Sequence, residues 1–225
     1  MNAVVVFDMD GTLIDSVGDI AAAINRMRGH YGLAPLTRES VVGMVGSGAR
    51  VLVARATADA PALDQEEAFR RYRREYDSRL VDSTRLYPGV PEGLQTLIAK
   101  GFRLAVYTNK PHASTLYLLK ALGVDSLFSA VVGADSGFPL KPAPDALHFI
   151  LNETDAAPEV SWMVGDNWTD VDSGHDAGFR TAFCSYGYGI YNEKQPDAIA
   201  ASFSALIATI TDANKGYIQD IAPFF

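Results

Sequence analysis

The chain begins with a run that few folds accommodate. Ala3–Phe7 is short, apolar and rich in valine, and it ends abruptly at Asp8-Met9-Asp10-Gly11. It shows no polar–apolar alternation, so it predicts a strand buried on both faces, as in a parallel sheet. Two more such runs, Arg103–Thr108 and Ser161–Gly165, also stop at polar residues, and weaker ones lie at Ala130–Gly133 and Thr181–Ser185. Between them, the spacing of apolar residues predicts helices over Val90–Lys100, Ala113–Leu122, Asp145–Leu151 and Asp170–Ala177. Three of these run into Gly101, Gly123 and Gly178, and glycine is the usual helix stop. Strand alternating with helix at this spacing predicts an α/β fold, a parallel sheet covered by helices.

One stretch breaks the alternation. From Ser16 to Ser83, about 68 residues, only helical periodicity is found, at Ile20, Ile24, Met27 and Tyr31 and again at Phe69, Tyr72 and Tyr76. Tyr87-Pro88-Gly89 then marks re-entry into the α/β body. The expected division is therefore residues 1–15 and 84–225 for the body and 16–83 for a helical insertion. With 225 residues, 48% of them apolar, the chain can build a sizeable core and a smaller unit beside it. Its tail, Asn214–Phe225, has little periodicity and ends in Phe224-Phe225; packing on the body and packing on another subunit both stay open.

The net charge of −8 advertises no basic surface for nucleic acid or an anionic membrane. Cys184 is the sole cysteine, which rules out an intramolecular disulfide or a multi-cysteine zinc site. The start lacks a charged, then long apolar leader, and no apolar stretch approaches the roughly 20 residues that span a bilayer. A cytoplasmic protein, monomer or homodimer, without nucleic-acid or membrane partners is the expectation.

Ligands of open parallel sheets bind beyond the carboxyl ends of the strands, and the unusual polar clusters here fall there. Side chains two apart on extended chain point the same way, so Asp8 and Asp10 can converge. Two close carboxylates repel unless a cation or shared proton relieves them. One carboxylate can attack a phosphoryl group, and a neighbouring acid can protonate the leaving oxygen. Taken alone, D-x-D-G reads equally as a strand end with an Asx turn.

DMDGTLIDS, residues 8–16, resembles the first motif of the haloacid dehalogenase-like phosphatases. The family's other signatures follow in order: Thr108-Asn109-Lys110, then Lys141-Pro142, then Gly165-Asp166-Asn167-Trp168-Thr169-Asp170. The resemblance spans nearly the whole chain and implies a three-layer Rossmann-like core with a small helical cap inserted after the first strand. It also implies a magnesium-dependent reaction. Mg²⁺ would be held by the Asp8 and Asp166 side chains and the Asp10 carbonyl, with Asp170 as a further ligand or orienting a bound water. Asp8 would be the nucleophile and Asp10 the acid and then the base. Thr108 and Lys141 would bind and neutralise the phosphoryl group, beside Gly11 and Asn109. Dehalogenase relatives lack the second aspartate, so Asp10 favours phosphoryl transfer.

A cap of this kind favours small phosphorylated metabolites. Its glycine-rich Gly43–Arg50 turn lacks dinucleotide-loop spacing and reads either as a helix–helix connection or as a specificity loop offering Arg50 to an anionic group. That stretch, with Leu86–Val90 and Ser185–Gly189, is similar to phosphoglycolate phosphatases, which makes 2-phosphoglycolate the expected substrate. A β-phosphoglucomutase-type sugar phosphomutase is the alternative, although Thr12 stands where mutases usually carry a β-branched apolar residue. Pyrophosphate or nucleotide hydrolysis, and a non-catalytic binding relative, are further alternatives. The run Arg70–Arg74, with Glu66, Glu67, Glu75 and Asp77 nearby, reads as a solvated helix face.

Overall fold

The computed structural model describes residues 2–215. At its centre lies β1 (Val4–Phe7), all four residues fully buried. It pairs in parallel with β4 (Arg103–Tyr107) on one side and β6 (Trp162–Gly165) on the other. β5 (Ala130–Val132) extends the sheet beyond β4, while β7 (Arg180–Cys184) and β8 (Ala198–Ala200) extend it beyond β6. The order is β5-β4-β1-β6-β7-β8. Successive strands therefore run outward from β1 to one edge, then outward from β6 to the other, and the crevice where that direction reverses lies at the end of β1.

The two-residue period of β1 sends Val5 and Phe7 into one core and Val4 and Val6 into the other. The first core is filled by Leu94 and Leu97 of α5 (Val90–Ala99), Leu118 of α6 (His112–Ala121) and Phe203, Leu206 and Ile210 of α9 (Phe203–Ala213). The second takes Ala146, Leu147 and Ile150 of α7 (Asp145–Thr154). On the same side, α8 (Trp168–Asp176) lies so close to the sheet that a Cβ on Gly174 would come within 2.8 Å of Met163 Cβ. Helices on both faces of a parallel sheet make the three-layer α/β architecture.

Two short strands, β2 (Ile14–Asp15) and β3 (Arg85–Leu86), pair antiparallel where the chain leaves and re-enters this body. Between them lie α1 (Val17–His30), α2 (Arg38–Val42), α3 (Ala49–Ala56) and α4 (Gln65–Asp77), with no strand among the described residues. α1 packs on α2 and α4, and α3 packs on α4. Arg28 is buried among them, bonded to Asp59 and to the carbonyls of Ala34 and Ala56. Both connections to the body are fastened by Asp19 of α1, whose carboxylate accepts from the backbone N–H and hydroxyl of both Ser83 and Thr84.

β8 and α9 were not anticipated. α8 begins two residues earlier than its periodicity suggests, because Asn167 caps it: the Asn167 side chain accepts from Thr169 N and the Asp170 carboxylate accepts from Asn167 N. Asn214 docks on the body, accepting from Trp162 Nε1 at 2.8 Å and donating to Val160 O at 2.7 Å. Phe224-Phe225, raised above as a packing element, lies outside the described residues. Among the described residues no helix is long and apolar enough to cross a membrane.

Candidate active site

Each strand of the sheet's middle delivers one polar residue to the crevice. Asp8 prolongs the β1 ladder, its N–H donating to Val164 O at 2.9 Å, and is buried. Asp166 follows β6, and Asp170 projects from the first turn of α8. One oxygen from each of these three buried carboxylates lies within 4.8 Å of the others. Lys141, from the loop before α7, reaches into the group: Nζ donates to Asp170 Oδ1 at 2.6 Å and lies 2.8 Å from Asp8 Oδ1. The contact with Asp8 is a close ion pair, and among the described residues buried Asp8 Oδ1 has no polar partner besides that ammonium.

Burial fixes the electrostatics. Desolvation, then the charges of Asp8 and Asp170, push the Asp166 carboxyl up to about 8. Burial likewise raises Asp170 against the pull of Lys141. Burial would deprotonate Lys141, but Asp170 and Asp8 reverse that and hold it as the ammonium. Three carboxyl groups thus share one ammonium, and Asp166 ionises beside the other two only against burial and their charge. A divalent cation suits that grouping, and the all-oxygen donor set of Asp8, Asp166 and Asp170 suits Mg²⁺. Asp166 is held for such a role by Tyr188 N at 2.6 Å and Gly189 N at 3.1 Å on Oδ2, and by the Thr12 hydroxyl on Oδ1. Asp170 spends its oxygens on Lys141 and on its helix cap.

Gly11 has φ of 86°, and a Cβ there would fall 2.2 Å from Asp166 Oδ2. Only glycine allows β1 to turn this close to the carboxylates. Thr108, buried at the end of β4, lines the same cavity as Asp8. Asp10 does not join the carboxylate cluster through its side chain. It turns to Lys110 Nζ, 2.9 Å from both oxygens, and accepts from Ser16 Oγ at 2.5 Å. Asn109 lines the cavity too, but its amide ties loops together: Nδ2 donates to Gly46 O and Lys141 O, and Oδ1 accepts from Lys141 N.

Asp8, Asp10, Thr108 and Lys110 form one wall of a cavity of about 50 Å³; Val45, Leu52, Tyr72 and Tyr76 of the helical insertion form the other. The two sides meet through Asn109–Gly46, Lys110–Tyr76 and Ser114–Asp77 hydrogen bonds. Gly46 is wedged so tightly that a Cβ would lie 2.5 Å from Asn167 Nδ2.

Arg50 is not brought to this cavity. Ala49 and Leu52 are the residues of α3 that line it, and a helix turns about 100° per residue, which carries Arg50 off that face. Its guanidinium bonds Glu66 at 2.5 Å and sits 4.2 Å over the Phe69 ring, facing an outer groove. The arginine-rich run is not wholly a solvated face either. Tyr72 is buried, and half-buried Arg73, paired with Asp77, borders the cavity. Lys110 and Ser16 stand inside the quoted motifs and Tyr72 and Tyr76 inside the helical periodicity, but sequence reasoning gave none of the four a place in the site. The i, i+4 spacing of Tyr72 and Tyr76 was a usable signal for a shared face; nothing in the sequence pairs Lys110 with either Tyr76 or Asp10.

Comparison with known proteins shows the family. Residues 5–184 match the family model of haloacid dehalogenase-like hydrolases. The phosphoglycolate phosphatase of Haemophilus influenzae (strain ATCC 51907) is 34% identical over 216 residues, covering 91% of this chain and 96% of that protein. That of Nitrosospira multiformis is 37% identical over 216 residues, covering 94% and 93%. A crystal structure described as a predicted phosphoglycolate phosphatase from Haemophilus somnus superposes with a TM-score of 0.85 at 33% identity, covering 92% and 97%. The chain belongs to the haloacid dehalogenase-like hydrolase family.

Proposed function

We propose that this phosphoric monoester hydrolase removes phosphate from a small phosphorylated acid, 2-phosphoglycolate being the best single candidate, through an aspartyl-phosphate on Asp8. The observation that carries the chemistry is the buried Asp8 lining a cavity with Asp10 and Thr108, with the Lys141 ammonium 2.8 Å from its Oδ1. An Asp8 oxygen attacks phosphorus as the ester P–O bond breaks, and Asp10 passes a proton to the departing alkoxide. Asp10 then takes a proton from the water that attacks phosphorus, and Asp8 is released. Thr108 and Lys141 hold the phosphoryl oxygens as charge moves between attacking and leaving groups. Mg²⁺, held by the Asp8 and Asp166 side chains and the Asp10 carbonyl with Asp170 as further ligand or orienter, would supply charge neutralisation when bound.

Residues 16–83 act in this reading as a cap that excludes water. The substrate assignment is supported by the names of the relatives, two of which are phosphoglycolate phosphatases at 34% and 37% identity. Phosphate release from 2-phosphoglycolate, glucose 6-phosphate, AMP and pyrophosphate, with Mg²⁺ or with EDTA, tests the assignment. Preferred, Mg²⁺-dependent turnover of 2-phosphoglycolate that disappears in Asp8→Asn is expected. Undiminished turnover in Asp8→Asn would overturn the mechanism, and glucose 6-phosphate appearing from β-glucose 1-phosphate would overturn the hydrolase assignment in favour of a mutase.

A further inference from the structure

Lys110 is buried at the cavity wall, and the reaction just described gives it no part. Its Nζ donates to Asp10 Oδ1 and Oδ2, both at 2.9 Å, and to the Tyr76 hydroxyl at 2.6 Å. An ammonium has three N–H donors, and these partners occupy them. Nζ also lies 4.7 Å from the Tyr76 ring centroid. Tyr76 belongs to α4 of the helical insertion and is stacked on Tyr72, with ring centroids 5.6 Å apart and planes 9° apart, so its position reports that of the whole helix. Asp10 and Lys110 belong to the body. The Asp10 carboxylate is therefore gripped on one side by Ser16, where the chain departs for the insertion, and on the other by a lysine fastened to α4.

We infer that Lys110 is a positioning residue that couples seating of the cap to Asp10. With α4 in place, Tyr76 fixes the direction of the ammonium, and the ammonium fixes both oxygens of Asp10 at the cavity wall. With α4 withdrawn, Lys110 loses its third partner and Asp10 its fixed orientation. Transfer to the leaving group of the proton that Asp10 carries when it enters the reaction as the neutral acid is then confined to the closed cavity. The inference rests on the hydrolase reading, with Asp10 as acid and base, and assigns Lys110 no contact with the phosphoryl group.

The test compares kcat/KM, which covers events up to transfer onto Asp8, for two probes. One is 2-phosphoglycolate, or the best alkyl phosphate of the screen above, whose alkoxide needs a proton to leave. The other is p-nitrophenyl phosphate, whose leaving group needs little help. Lys110→Met is expected to lose about 10²-fold on the alkyl ester, the lower end of general-acid contributions, and less than about tenfold on the aryl ester. Tyr76→Phe is expected to lose severalfold on the alkyl ester alone, and to lose nothing further when combined with Lys110→Met, because the two act as one unit. Equal losses on both esters, or a Tyr76→Phe loss that persists in full beside Lys110→Met, would overturn the inference. Should Lys110→Met fail to fold by thermal melting, the ester contrast in Tyr76→Phe alone decides. Failure of the underlying reading has its own signature: no turnover of either ester by the unaltered protein, or an active Asp8→Asn, sinks both together.

Discussion

Gly11 and Arg50 sit at opposite ends of what a single side chain can do here. At Gly11 a φ of 86° and a neighbouring carboxylate oxygen 2.2 Å from any Cβ exclude every other residue. Gly11→Ala is expected to cost about 1–3 kcal/mol from backbone strain and overpacking, and to displace Asp166, so that kcat falls together with the melting temperature. Denaturant unfolding and steady-state kinetics on one sample check both; unchanged kcat would show that Asp166 does not depend on this contact. Arg50 looked suited to an anionic substrate group, yet its guanidinium is engaged by exposed Glu66 outside the cavity. Arg50→Ala is therefore expected to leave kcat/KM on 2-phosphoglycolate within about twofold, as exposed ion pairs contribute little. A larger loss confined to carboxylated esters would restore it to substrate binding.

At the scale of elements, the connection between insertion and body hangs on a carboxylate that no motif marks. Asp19 gathers hydrogen bonds from Ser83 and Thr84, so one side chain near the start of α1 staples the returning chain. Removing it in Asp19→Ala leaves partly buried donors unpaired and is expected to cost about 3 kcal/mol, read as a lower denaturant midpoint. Burial alone would raise the Asp19 carboxyl, but the bonds from Ser83 and Thr84 outweigh it and hold the group below its ordinary 3.8. The clasp is thus complete above pH 3.8 and lost as pH falls through the lower folded value. The gap between native and Asp19→Ala should close in that acid window; a gap constant there would refute the assignment. The sequence displayed strand ends well, because β1, β4 and β6 are apolar runs stopped by Asp8, Thr108 and Asp166, and both halves of that signal are local. It did not display β8, three residues at the sheet's edge, or the two-residue β2 and β3, whose pairing spans the whole insertion. Nor could periodicity distinguish which arginines of α4 turn inward, since that depends on where Thr108–Pro111 of the body lies.

For the whole molecule the decisive quantity is charge buried in one place. A chain of net charge −8 has gathered Asp8, Asp166 and Asp170 in its interior, and among the described residues it pairs two of them, Asp8 and Asp170, with Lys141. Like charges held together without water oppose folding, and the strain is recorded in Asp166, whose carboxyl is driven up to about 8. A cation that binds the folded site and not the unfolded chain must then stabilise the whole protein by mass action, about 2.7 kcal/mol at a hundred times its dissociation constant. Melting in EDTA against rising Mg²⁺ is expected to show a concentration-dependent increase in melting temperature. Asp166→Asn should raise the stability of the metal-free protein at neutral pH, by removing a carboxyl that ionises freely in the unfolded chain and is held back from ionising in the folded one, while keeping an acceptor for Tyr188 and Gly189, and should abolish most of the response to Mg²⁺. The two effects run in opposite directions, so loss of fold cannot imitate them. A Mg²⁺ response of equal size in Asp166→Asn would place the cation elsewhere. A metal-free Asp166→Asn protein less stable than the native one would mean that hydrogen bonding at Asp166, rather than charge repulsion, dominates the centre of this fold.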